Sequence, residues 1–120
     1  MAVFIKVKRI YEEVSKDDGF RILIDKLWPR GLKKEKAFID EWNKELAPTD
    51  TLRKWFNHDP ELWSEFQKKY KAELNKNETV NTFIETHRDK KVITLVYAAK
   101  DEQHNHALVL KKFLQAKFNT

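Results

Sequence analysis

The chain reads as an α/β protein, a small and mostly parallel sheet of at least three strands flanked by about five helices. Three observations predict this. Apolar runs at Val3–Lys8, Phe20–Asp25 and Val92–Ala99 have strand character. The segments between the second and third runs, and after the third, carry helical spacing instead. Gly (2) and Pro (3) are scarce in a chain that is 36% charged, which favours helices with solvated faces. Strands separated by helical segments form parallel sheets covered on both faces, so the expectation is one α/β domain over residues 1–120.

Taking the elements in order, "VFIKVK" alternates Val3, Ile5 and Val7 against Phe4, Lys6 and Lys8, the period of a half-buried strand. "FRILID" is nearly apolar on both faces, as a central parallel strand requires. The connection "RIYEEVSKDDG" between them sits at the lower limit of a crossover and also suits a long hairpin, so the direction of the first strand stays open. Phe38, Trp42 and Leu46 keep helical spacing until Pro48. Asp50 then caps a short segment holding Leu52, Trp55 and Phe56. Asp59-Pro60-Glu61 is a helix start with the acid at the N-cap and Pro at the first helical position, and Trp63, Phe66, Tyr70 and Leu74 line the face that follows. Val80, Phe83, Ile84 and His87 mark a further helix opened near Asn77. "VITLVYAA" is the third strand, and a last helix runs from about Glu102 to Phe118 with Val109, Leu110, Phe113 and Leu114 inward.

Composition narrows the function. The 120 residues are long enough to bury one core, and 12% aromatic content shows that the low mean hydropathy of −0.74 reflects charged surface rather than disorder. A formal charge of +5 gives a mild positive field that attracts anions, but the Lys residues are spread along the chain rather than blocked together. The chain has no cysteine, which excludes a thiolate nucleophile, a disulfide framework and a Cys-ligated metal. It shows no membrane-length apolar stretch, and "MAVFIKVKR" has no signal-peptide pattern, so a soluble, cytoplasmic protein is expected.

Ligands of open parallel sheets bind outside the carboxyl ends of the strands, so the three strand exits are where a site belongs. These are Lys8-Arg9 with Tyr11, the stretch Asp25 to Gly31, and the stretch Tyr97 to His106.

The runs "VKRIY", "DDGFRILIDKLWPRGLKKEKA", "LRKWFNHDPELWSEFQKKYKAEL" and "VITLVYAAKDEQHNHALVL" together resemble the YeaO-like subgroup of domain-of-unknown-function family 488 over essentially the whole chain. The "LWPRG", "HDP" and "YAAKDEQHNHA" segments carry the likeness. It implies a compact α/β fold and a site at these exits, with no activity attached. In the wider family the strand bearing this Asp resembles an Asp-Val-Arg segment, and the position of "HNH" is often Cys-His-Arg. Here that Cys and its neighbouring Arg are absent.

Residue by residue, Asp25 at a strand terminus suits a general base, or a metal or ribose ligand; the structural alternative is a loop cap or a pair with Arg30. Arg30 offers a planar fork for phosphate or carboxylate, and Gly31 lets backbone N–H groups approach a ligand. Trp28 fits turn packing better than a stacking platform. His104 and His106 lie two apart and point to different sides of a helix, so no metal site is expected from them. His106 falls on the inward face as a core histidine. His104 lies near the helix start, where the dipole favours neutral imidazole for base or donor chemistry, with Asp101 or Glu102 competing as an ordinary cap. Asp59 is a cap, and His58 has no assigned role.

No dinucleotide loop, P-loop, serine-hydrolase elbow or zincin motif is present. Two readings follow. One is an enzyme or binding domain for a small anionic ligand, a nucleotide or phosphorylated metabolite, with Arg9, Arg30, Tyr97 and Lys100 as binding residues and Asp25 with His104 for proton transfer. The other is a non-catalytic module that uses its basic surface for nucleic acid or an acidic protein. No cofactor is specified by either.

Overall fold

A computed structural model describes residues 3–119; Met1, Ala2 and Thr120, the ends of the expected domain, lie outside the described residues. The three expected strands form as β1 (Phe4–Arg9), β2 (Phe20–Leu23) and β4 (Val92–Tyr97), and a short β3 (Glu41–Trp42) joins them. All pair in parallel, in the order β1-β4-β2-β3. The two strands with near-continuous apolar runs, β2 and β4, take the interior places because only there are both faces covered. At the edge, β1 alternates as expected, with Ile5 fully buried and Phe4 59% exposed.

The connection from β1 to β2 is a crossover, since both strands run parallel to β4, which lies between them. So short a segment manages the crossing through a 3-10 turn at Lys16–Asp18, closed by reciprocal Ser15 and Asp18 capping bonds. Gly19 then enters β2 at φ +64°, and a Cβ there would lie 2.5 Å from the Val92 carbonyl oxygen, so only glycine fits.

Five α-helices follow: α1 (Lys34–Ala37), α2 (Asp50–Phe56), α3 (Trp63–Lys76), α4 (Glu78–Thr86) and α5 (His106–Phe118). Asp59 and Pro60 open a 3-10 turn that runs into α3, and Phe66, Tyr70 and Leu74 are buried as their spacing predicts. Asn77 caps α4, whose Val80, Phe83 and Ile84 are buried. Buried residues of α2 to α5 meet Ile5, Ile22, Ile93 and Leu95 in one core. The opposite face carries a smaller core of Ile10, Leu23, Ala37 and Val96, covered by α1 and the aromatic side chains of Trp28 and Trp42 rather than by a full helical layer. Beside it lies a polar layer. Asp18 is buried between Lys8 (3.0 Å) and Arg21 (2.6 Å), and Thr94 donates to the Asp18 carbonyl.

β1 is shifted by one residue from its expected bounds, β2 and β4 each end two residues sooner than expected, and three helical assignments also differ from the sequence reading. The helical spacing of Phe38, Trp42 and Leu46 does not make a helix. Phe38 adopts a left-handed φ of 51°, which ends α1, and the following residues pair with the open edge of β2. Satisfying that edge outweighs local periodicity. Thr49, not Asp50, caps α2, accepting from the Leu52 N–H. The last helix starts at His106 instead of Glu102, because Asn105 accepts from the Leu108 N–H while Asp101 holds a separate turn. Among the described residues no helix is long and apolar enough to cross a membrane.

Candidate functional site at the carboxyl rim

Because β2 and β4 are adjacent and parallel, their exits open together, and a cleft of about 660 Å³ lies between them. Residues 25–30 form one wall and residues 98–101 and 104–106 another, while Ala47, Pro48, Arg53, Phe56, His58 and Phe66 close it from the side of α2 and α3.

Asp25 sits at the base, held in a way the sequence did not suggest. Its Oδ2 accepts the Ala98 N–H at 2.9 Å and its Oδ1 lies 3.2 Å from His106 Nε2. The last ladder bond between these strands is Ile24 N–H to the Val96 carbonyl, so the Asp25 side chain supplies the acceptor that the ladder no longer offers to Ala98. The alternative pair with Arg30 is not formed. His106 is correspondingly not a plain core histidine: Nε2 also reaches the Ile24 carbonyl at 3.0 Å, and the ring lines the cleft.

His104 pairs with Asp101, Nδ1 to Oδ2 at 2.9 Å, and meets the Trp63 ring edge-on at 5.5 Å. It lies just before Asn105, the N-cap of α5. The Gln103 N–H and the His104 ring hold the Asp101 carboxyl below its ordinary range. Asp25 and His104 both line the cleft, but the histidine within ion-pairing distance of Asp25 is His106.

Arg30 and Lys100 line the cleft with exposed side chains, and among the described residues neither carries an ion pair. The Arg30 carbonyl accepts from the Tyr11 hydroxyl at 3.0 Å, which fixes the turn and leaves the guanidinium free. Gly31 follows at φ +78°. Lys26 and Arg53 also face the cleft and share Asp50, at 3.6 and 3.4 Å, which lowers that carboxyl.

Arg9 and Tyr97 fall outside the lining. Arg9 donates through Nε to the Ala99 carbonyl at 2.9 Å and through Nη2 to that of Ala98 at 3.3 Å, so its fork is consumed in tying β1 to the chain leaving β4. Tyr97 is 3% exposed and points into the main core; burial, with Glu102 and Glu12 nearby, pushes its hydroxyl above the ordinary value despite an Asn105 hydrogen bond. Trp28 packs in the turn as expected, donating to the Leu32 carbonyl and standing edge-on to Trp42.

Sequence reasoning missed Arg53, whose place depends on how α2 docks. It left His58 unassigned, although this residue lines the cleft in a left-handed conformation, φ 56°, which is uncommon for non-glycine residues though histidine adopts it more readily than most. Among the described residues, no three His, Asp or Glu side chains gather as metal ligands.

The family profile described as the inactive DUF488-N3 subclade matches residues 4–120. The chain belongs to this subclade. Its DUF488 relatives include the uncharacterised protein YeaO of Escherichia coli (strain K12), 41% identical over 112 residues, which is 93% of this chain and 97% of that one. Uncharacterised proteins of Mycobacterium bovis and Mycobacterium tuberculosis are each 34% identical over 113 residues, covering 94% of this chain and 95% of theirs. No solved structure matches the chain.

Proposed function

We propose that this DUF488 protein binds a small anionic ligand, of the nucleotide or phosphorylated class, in the rim cleft, and does so without turning it over. The observation that carries the reading is the pairing state of the cleft cations. Arg30 and Lys100 face a concave space with no counter-charge of their own, where a positive field is focused and an anion gains most. The Arg30 fork suits a carboxylate or phosphate by two parallel hydrogen bonds, with Lys100 as a point charge from the opposite exit.

Binding without chemistry is favoured by the residue types present, not by the Asp25–His106 and Asp101–His104 pairs, whose geometry is compatible with proton transfer. The chain has no cysteine to act as a nucleophile, and the subclade it belongs to is described as inactive.

The test is a thermal-shift titration with inorganic phosphate and adenosine monophosphate, repeated on Arg30→Ala and Lys100→Ala. A ligand at a hundred times its Kd stabilises by about 2.7 kcal/mol, a shift of several degrees. The wild type is expected to show it, and Arg30→Ala to lose it while keeping its own Tm. No response to any anion, or an unchanged response in both variants, refutes the reading.

A further inference from the structure

Resting on that reading, we infer that the ligand is an organic mono- or dianion with an apolar body, a phosphomonoester rather than a bare inorganic ion or a polyphosphate. Size is the first reason. A cleft of about 660 Å³ lies within the roughly 300–1,000 Å³ that hold drug-sized molecules, so an inorganic anion would leave most of it wet.

The second reason is the wall. Leu27 lines the cleft and is 69% exposed, and the buried Pro48, Phe56 and Phe66 border the cleft behind it, the two Phe at 5% and 1% exposure. Apolar surface of this kind rewards a ligand that covers it and contributes nothing to a free phosphate. Arg30 and Lys100 stand on the two loops and Leu27 on the same loop as Arg30, so a ligand with its charged head at the cations covers Leu27 with an apolar body.

Charge sets the upper limit. Lys26, Arg30, Arg53 and Lys100 line the cleft together with Asp25 and Asp101, and Lys26 and Arg53 already share Asp50. The surplus suits one or two negative charges. A triphosphate would bring its additional charges against Asp25 and Asp101.

Isothermal titration with four probes tests this: inorganic phosphate, phenyl phosphate, phenol and adenosine triphosphate. Phenyl phosphate is expected to bind about tenfold or more tightly than phosphate, from apolar area covered. Phenol should give no measurable binding, and the triphosphate should bind no better than phenyl phosphate. Leu27→Ser, at an exposed position that keeps the fold, should narrow the gap between phenyl phosphate and phosphate, whereas Arg30→Ala should weaken both. Equal affinities for phosphate and phenyl phosphate would overturn the apolar body while leaving anion binding intact. Tightest binding by the triphosphate would overturn the charge limit. Silence toward every anion would remove the binding reading itself.

Discussion

His106 Nε2 lies 3.2 Å from Asp25 Oδ1 and 3.0 Å from the Ile24 carbonyl, joining the first turn of α5 to the end of β2 at the floor of the cleft. The Ile24 hydrogen bond and the Asp25 contact close the rim between two segments far apart in the chain. With the Asp25–Ala98 bond they fix both cleft walls relative to one another. Asp25→Ala strips a half-buried N–H of its acceptor and His106 of its carboxylate, and should cost about 1–3 kcal/mol in urea unfolding. Asp25→Asn keeps an acceptor for Ala98 and should cost less. Equal losses in the two variants would show that the Ala98 bond contributes little.

The buried ion cluster predicts an acid limit. Burial would raise the Asp18 carboxyl, but the Ser15 N–H, Lys8 and Arg21 outweigh it and hold the group below its ordinary value. A folded pKa below the unfolded one means that the contribution is complete above about pH 4, the unfolded carboxylate range, and is lost as pH falls through the lower folded value. Asp18→Asn should therefore destabilise at pH 7, by about 3 kcal/mol for a broken buried pair. It should also flatten the fall in Tm between neutral and strongly acid pH. A variant whose Tm falls with acid as steeply as the wild type's would contradict this assignment.

The two glycines should behave differently. Gly19→Ala combines a left-handed φ with a Cβ 2.5 Å from a backbone oxygen, and is expected to cost at least about 2 kcal/mol. Gly31 shares the positive φ, but a Cβ there meets nothing within 4 Å, so Gly31→Ala should cost only about 1 kcal/mol. Chemical denaturation of both variants gives the comparison directly, and equal costs would mean that the Val92 carbonyl moves aside freely.

Gln115 protects the sheet edge. From α5 its amide accepts the Ile5 N–H at 2.9 Å and donates to the Val3 carbonyl at 2.7 Å, imitating a neighbouring strand along β1. Unpaired edges recruit other chains. Gln115→Ala should lower Tm by a few degrees, from two lost hydrogen bonds of about 1 kcal/mol each. It should also increase self-association with concentration in sedimentation. An unchanged sedimentation profile would show that Gln115 does not protect this edge.

Much of this was legible in the chain itself. Period-two alternation in β1, the double-sided apolar runs of β2 and β4, the Asp59-Pro60 start and the spacing along α3 and α4 are local signals, set by side chains within a few residues of one another. They were enough to indicate an α/β fold with a mostly parallel sheet and to bring the stretches after β2 and β4 to one rim, while the direction of β1 was decided by its parallel pairing with β4. What lies at that rim was decided by tertiary structure. Glu41 and Trp42 became a strand because β2 offered an open edge. Arg9, free in sequence, was consumed by the Ala98 and Ala99 carbonyls, and Asp25 found His106 rather than Arg30 or His104. The physical reason is common to all three. A backbone edge or a charged side chain takes the partner that the register places within about 3 Å, and register joins residues whose separation in sequence carries no signal of their contact.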